Sequence, residues 1–88
     1  MIVMDERILA RLKGMAEEGT LPSEVTKWLL GEISANFTDF LFMQYFFRAF
    51  EVPLVDVRDL EEWVGLERGG SLSDFDIDNL FGPLKARP

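Results

Sequence analysis

Apolar residues recur along the chain with the spacing of helix faces, and no stretch of useful length alternates as a strand would. The first such run follows Asp5, a residue type that caps helices, and it stops at Gly19, as helices commonly do at a glycine. A second helix is predicted from about Pro22 to Ala35. Each of these two segments has one apolar stripe, which predicts that it lies against a core on one side.

The third predicted helix, about residues 38–52, is apolar around nearly its whole circumference. Six phenylalanines lie in or just before it: Phe37, Phe40, Phe42, Phe46, Phe47 and Phe50. A helix of this kind must be surrounded by other elements or by a partner, and it is too short to cross a bilayer, which needs about 20 apolar residues. We therefore expect it at the centre of the fold, with Phe46 and Phe47 both buried.

Arg48 is one of the few polar residues of this central helix. On so apolar a helix we expect it to be partly buried, and a buried arginine needs a partner. The favoured interpretation is a salt bridge to Asp39, Glu51 or a carboxylate of a neighbouring helix. The alternative is a contact with a binding partner.

Two further helices complete the prediction. Pro53 separates the central helix from a fourth one, from about Leu54 to Val64. After a glycine-rich loop, Ser73 and Asp76 approximate a capping box at the start of a short fifth helix, which ends at 82–83. The sequence thus predicts a single all-α domain over residues 1–88, a compact bundle of four to five helices around the Phe-rich helix.

The composition removes most catalytic chemistry. The chain has no cysteine and no histidine, so it lacks thiolates, imidazole bases and the commonest metal ligands. It also carries no nucleophile motif and no phosphate-binding loop. We therefore expect no enzymatic activity, no cofactor and no bound metal.

Two short patterns resemble functional motifs. Asp74, Asp76 and Asp78 alternate as in the start of a calcium loop, but Asn79 and Lys85 stand where such a loop needs glycine and glutamate. The favoured interpretation places Asp74 and Asp76 at a helix N-terminus, which negative charge stabilises, and leaves Asp78 solvated.

The second pattern, Gly69-Gly70-Ser71-Leu72, resembles the modified-serine motif of carrier proteins. In those domains a long helix and two more follow the serine, whereas only seventeen residues follow Ser71. A loop that leads into the Ser73 cap is the favoured interpretation.

The net charge of −7 disfavours binding to nucleic acids and to anionic membranes. Residues 1–4 are apolar but too few for a signal peptide, so a cytoplasmic location is predicted.

Residues 51–88 hold nine acidic and four basic residues, a net charge of −5. This region is either a solvated face or a docking surface for a basic protein. The predicted partner contacts are Asp56, Asp59, Glu62, Glu67, Asp74 and Asp78.

A short, acidic, helical chain without histidine or cysteine resembles the bacterial immunity proteins in length, charge and helix number, although it shares no motif with them. The resemblance implies a stoichiometric inhibitor that neutralises a basic toxin domain, such as a nuclease, through an acidic surface. The alternative is a helical interaction or regulatory module, monomeric or homodimeric through an apolar patch. Steep salt dependence of association would favour the first hypothesis, and indifference to salt the second.

Overall fold

The computed structural model describes residues 4–63, 66 and 70–88, and this part of the chain contains five α-helices. They are α1 (Glu6–Glu17), α2 (Pro22–Ile33), α3 (Asp39–Ala49), α4 (Leu54–Arg58) and α5 (Asp74–Phe81). Two 3₁₀ turns, Ser34–Asn36 and Asp59–Glu62, extend α2 and α4. The prediction of an all-α bundle around a Phe-rich helix is confirmed.

Local sequence signals set the starts of α1, α3 and α5 and the end of α1. The side chains of Asp5, Thr38 and Ser73 each accept a backbone N–H in the first turn of α1, α3 and α5. Asp76 completes the capping box by accepting the backbone N–H of Ser73. Gly19 ends α1 with a φ of 78°, in the left-handed region that glycine adopts without a steric penalty.

The core is built around one face of α3. Phe42, Tyr45, Phe46 and Ala49 are all buried on that face. The ring of Phe42 stacks on Trp63 with centroids 6.3 Å apart. Two further rings, Phe50 and Phe81, pack against Phe46 at 4.8 Å and 4.9 Å. The other buried side chains come from every helix: Leu12, Met15, Val25, Leu29, Ile33, Val57, Leu60, Ile77 and Leu84, with Leu66 beyond the second 3₁₀ turn.

The opposite face of α3 is open, which corrects the expectation that other elements surround this helix. Phe40 is 54% exposed, and Met43 and Phe47 are half-buried. These residues recur at i, i+3 and i+7, so they share one outward side. Phe47 was expected to be buried like Phe46, and that expectation is wrong because the neighbouring helices pack on the inner face alone.

Arg48 is exposed rather than partly buried. It lies one residue beyond Phe47 on the open side of α3, so water solvates its guanidinium. No salt bridge joins it to a carboxylate within the described residues. The predicted structural ion pair is therefore wrong for this part of the chain.

The fourth helix is shorter than predicted, since α4 ends at Arg58 and the chain tightens into the 3₁₀ turn Asp59–Glu62. Val57, Leu60 and Trp63 are all buried and follow each other at intervals of three. A 3₁₀ helix has three residues per turn, so this spacing keeps its apolar side chains on one side. Val64, the predicted end of the helix, lies outside the described residues.

The third helix also ends earlier than predicted, at Ala49, because Phe50 takes an extended backbone conformation. Phe50 forms an antiparallel bridge with Ala86, and the N–H of Glu51 donates to the carbonyl of Lys85 at 2.8 Å. These bonds satisfy backbone groups that a longer helix would have paired internally.

Arg87, in the same C-terminal segment, contacts the end of α3. The Nε of Arg87 donates to the carbonyl oxygen of Phe47 at 2.6 Å, and its guanidinium lies 4.5 Å from the centre of the Phe47 ring. A cation at a helix C-terminus meets the negative end of the helix dipole. No helix in the part of the chain that the structure describes is long and apolar enough to span a bilayer.

Candidate functional site

An open groove of about 530 Å³ runs between the 3₁₀ turn Asp59–Glu62 and α5. Three carboxylates line it, together with two leucines and two neutral polar residues: Asp59, Glu62, Asp76, Leu72, Leu80, Ser71 and Asn79. Its volume lies within the roughly 300–1,000 Å³ that is usual for ligand sites. We take this groove as the candidate site because it combines acidic walls with apolar surface.

The first wall is the 3₁₀ turn. Asp59 and Glu62 are three residues apart, and three residues make one turn of a 3₁₀ helix, so both carboxylates project from the same side. Both are exposed. The segment that contains Gly70 and Leu72 packs beside this wall. The backbone carbonyl of Glu62 accepts the N–H of Gly70 at 3.1 Å and that of Leu72 at 2.8 Å. A Cβ at Gly70 would displace the Glu62 carboxylate.

The second wall is the side of α5 that carries Asp76, Asn79 and Leu80. Asp76 is held by the capping box, in which its Oδ2 accepts from both the backbone N and the Oγ of Ser73. Leu80 follows one turn later on the same side and is half-buried. A parallel bridge between Trp63 and Leu72 joins the residue that follows the 3₁₀ turn to the chain just before α5.

The structure brings only part of the predicted contact set to this groove. Asp59 and Glu62 line it, whereas Asp56 is half-buried in the first turn of α4 and is not among the lining residues. Glu67 lies outside the described residues. Asp74 and Asp78 are on other sides of α5, where each binds another part of the protein.

Asp74 links three elements. Its Oδ1 accepts the indole N–H of Trp63 at 2.8 Å, and its Oδ2 lies 2.7 Å from the Nζ of Lys27 on α2. The hydrogen bond from Lys27, followed by the one from Trp63, holds the pKa of Asp74 below the usual range of an aspartate. The same contact raises the pKa of Lys27. The Asp74 carboxylate therefore stabilises the contact of α5 with α2 and Trp63 and is not free to bind a partner.

Asp78 was expected to be solvated, but it caps α2, although it lies 55 residues from Ser23 in the sequence. Its Oδ1 accepts the backbone N–H of Ser23 at 2.8 Å, and its Oδ2 accepts the Ser23 hydroxyl at 3.1 Å. The N-cap residue of α2, Leu21, offers no side-chain acceptor. Asp78 thus satisfies one of the free N–H groups of the helix and places negative charge at its positive end.

Sequence reasoning missed the groove residues Leu72, Asp76, Asn79 and Leu80 as a group. The sequence places Asp76 at the start of a helix, and it indicates no functional role for Leu80. One signal was present, since both the acidic residues 56, 59, 62 and the apolar residues 57, 60, 63 recur every three positions. That period favours a 3₁₀ turn and so predicts that Asp59 and Glu62 share a side.

The alternating carboxylates of α5 do not converge on one point. They bind Lys27 and Trp63, Ser73, and Ser23, on different sides of the helix. Among the described residues no group of three or more acidic side chains is placed to hold a metal ion. Ser71 is exposed at the groove, and Gly69 of the carrier-like motif lies outside the described part of the chain.

Comparison with protein-family models, curated proteins and solved structures finds no significant match to this chain.

Proposed function

We propose that this protein is a stoichiometric inhibitor, similar in mode to an immunity protein, that binds a basic toxin domain through the acidic side formed by α4, the 3₁₀ turn and α5. The observation that carries the proposal is the groove between the 3₁₀ turn and α5. Carboxylates stand on both of its walls, and the region from residue 51 onward has a net charge of −5.

Inhibition would work by charge and by occlusion. Exposed carboxylates at Asp59 and Glu62 would attract lysine and arginine side chains of the partner and raise the association rate. Once docked, the bundle would cover the cationic surface with which the partner binds its own substrate. The inhibitor needs no catalytic group for this role.

The test starts with the natural partner. The protein is immobilised, exposed at low ionic strength to an extract of the organism that makes it, and washed with rising salt, and the eluted protein is identified. We expect a basic protein whose activity is lost on adding one equivalent of this chain. Cells that produce the partner should grow only when this chain is produced with it.

Charge variants then show which surface of the protein binds the partner. We expect Asp56→Asn/Asp59→Asn/Glu62→Gln to fold normally. Asp59 and Glu62 are exposed, and exposed carboxylates contribute little to stability, while each substitution, including that of the half-buried Asp56, keeps the shape of the side chain. It should associate more slowly than the parent and with a flatter dependence on ionic strength. The matched control, Glu6→Gln/Glu17→Gln/Glu32→Gln, removes equal charge elsewhere and should retain most of the parental rate. An acidic partner, or equal rates for parent and variant at low salt, would contradict the proposal.

The open face of α3 favours a second candidate function, a helical module that associates through an apolar patch. Phe40 is 54% exposed there, and Leu54 and Val55 at the start of α4 are exposed as well. Sedimentation of the purified protein over a range of concentrations distinguishes the two. Self-association that Phe40→Ser abolishes and salt leaves unchanged would favour the apolar module.

A further inference from the structure

We propose that the groove between the 3₁₀ turn and α5 receives one short segment of the partner in which an arginine stands next to an apolar residue. This inference rests on the proposed function, since it specifies which feature of a basic partner is recognised. It goes further by assigning recognition to a particular groove rather than to the acidic surface as a whole.

The charges favour arginine. Asp59 and Glu62 lie on one wall and Asp76 on the other, so a cation in the groove has carboxylates on two sides. A guanidinium presents five N–H donors in a planar fork, so it can bond to more than one carboxylate at once, whereas an ammonium is a compact point charge. Both bonds from Ser73 go to the Oδ2 of Asp76, which orients the carboxylate and leaves Oδ1 to accept from a ligand.

The apolar lining of the groove indicates that the ligand also carries an apolar side chain. Leu72 and Leu80 line the groove and are only half-buried. Exposed apolar side chains also occur on α5 and on α4, the helices next to the groove. Phe75, 73% exposed, lies one turn before Asn79 on α5, and Val55, 65% exposed, lines the neighbouring depression with Asp59 and Glu62. An apolar residue beside the arginine would remove this surface from water, which a free cation cannot do.

Hydrogen bonds hold both walls of the groove in place. The backbone carbonyl of Glu62 holds Gly70 and Leu72, and the indole of Trp63 donates to Asp74 at the start of α5. Walls fixed in this way lose little conformational freedom on binding, so more of the contact energy appears as affinity. Among the described residues no three acidic side chains are grouped to hold a metal ion, so the groove suits a peptide segment better than a metal ion.

The test uses four blocked hexapeptides as probes. One alternates leucine and arginine, and the others replace arginine by lysine, arginine by glutamine, or leucine by glycine. Binding to the full chain is measured by calorimetry, and the site is located from backbone amide shifts in NMR spectra. We expect the leucine–arginine peptide to bind most tightly and to shift the amides of Leu72, Asp76, Asn79 and Leu80.

Variants separate the groove from general attraction. Asp59→Asn/Glu62→Gln should weaken the leucine–arginine peptide about tenfold, whereas the equally charged control Glu17→Gln/Glu32→Gln should change its affinity little. Phe75→Ala should weaken the same peptide without altering its salt dependence. Phe40→Ala, which removes an exposed ring from the far side of α3, is its matched control and should have no effect.

The outcomes distinguish this inference from the proposed function. If the glycine–arginine peptide binds as tightly as the leucine–arginine peptide, or if both charge variants weaken binding equally, the groove is not the recognition element. The inhibitor proposal would then survive on the capture and growth experiments alone. If the peptide binds the groove as expected but no basic partner is inhibited, the proposed function fails while the specificity of the groove stands.

Discussion

Two phenylalanines of α3, six residues apart, have opposite surroundings. Phe46 is fully buried between the rings of Phe50 and Phe81, whereas Phe40 is more than half exposed. The helix turns by about 100° per residue, so these two side chains project from different sides. Position on the helix, rather than residue type, decides what each ring contributes to stability.

Truncation of these rings should therefore give very different results. Phe46→Ala should lower the free energy of unfolding by about 3–5 kcal/mol, since it removes a buried ring and leaves a cavity. Phe40→Ala should change it by less than about 0.5 kcal/mol, as is usual for surface sites. Urea denaturation of both variants measures the difference, and similar losses for the two would contradict the open face of α3.

Glycines offer a second contrast between single residues. Gly14 lies inside α1, where a Cβ would meet no atom within 4 Å, whereas Gly19 ends the helix at a φ of 78°. Gly14→Ala should raise the free energy of unfolding by about 0.5–1 kcal/mol, because alanine favours the helix. Gly19→Ala, the matched control, should lower it by about 1 kcal/mol because its conformation is strained for a residue with a Cβ. Stabilisation by both substitutions in thermal melts would show that Gly19 is not constrained.

At the scale of elements, polar side chains at helix ends hold the bundle in register. Asp78 of α5 caps α2, and Asp74 of α5 joins α2 to Trp63. The hydroxyl of Tyr45, buried on α3, accepts the backbone N–H of Asp5 at 2.8 Å and so ties down the start of α1. Each bond satisfies a helix-end or indole group that would otherwise need water.

Removal of the tyrosine hydroxyl should loosen α1. Tyr45→Phe keeps the ring but leaves the N–H of Asp5 without this acceptor, which should cost about 1 kcal/mol of stability. Amide hydrogen exchange should become faster in the first turn of α1 and stay unchanged in α5. Uniform acceleration across both helices would mean instead that the hydroxyl supports the whole core.

The link between α2 and α5 should depend on pH. Asp74 has a lowered pKa in the folded protein, so its contribution is present above its unfolded pKa of about 3.9 and is lost as pH falls through the folded value. Lys27 has a raised pKa, so its contribution is present below its unfolded pKa of about 10.4 and is lost as pH rises through the folded value. The link is therefore strongest between these limits.

Melting temperatures can test this pH window. Asp74→Asn should melt below the parent at neutral pH, and the difference should shrink as pH falls below about 4, where the parental carboxylate also becomes protonated. The control Asp59→Asn changes an exposed carboxylate that makes no hydrogen bond to the described residues, so its melting temperature should stay close to that of the parent. A constant difference down to the acid limit would show that Lys27 does not stabilise the charged form.

At the scale of the whole molecule, negative charge exceeds positive charge by seven. The ion pairs of the described residues join exposed or half-exposed side chains, so they contribute little and lose little when salt screens them. Repulsion among the remaining carboxylates opposes the compact state. Nine of the sixteen acidic residues lie between residues 51 and 78, so we expect repulsion to be greatest in this part of the chain.

Salt should therefore stabilise the fold. We expect the melting temperature to rise as sodium chloride is raised from about 0.01 M to about 0.3 M, because the screening length becomes shorter than the spacing of the surface charges. Asp56→Asn/Asp59→Asn/Glu62→Gln should show a smaller rise. Destabilisation by salt would indicate that attractive pairs outweigh repulsion.

The sequence by itself determined the helical class of this protein and most of its helix ends. Caps at Asp5, Thr38 and Ser73 and the stop at Gly19 depend on neighbours within a few residues, so local chemistry is enough to predict them. The apolar spacing likewise predicted the Phe-rich helix and its buried Phe46. The apolar spacing could not predict that only one side of this helix is buried.

Tertiary structure decided which charges and which apolar faces remain available. Asp74 and Asp78 look like Asp59 in the sequence, but contacts with Lys27 and Ser23, 47 and 55 residues away, make them parts of the scaffold. The open side of α3 and the groove beside Asp59 likewise depend on where distant helices lie. Periodicity along a chain shows what each face is made of, but only the placement of segments far apart in sequence determines which faces are covered.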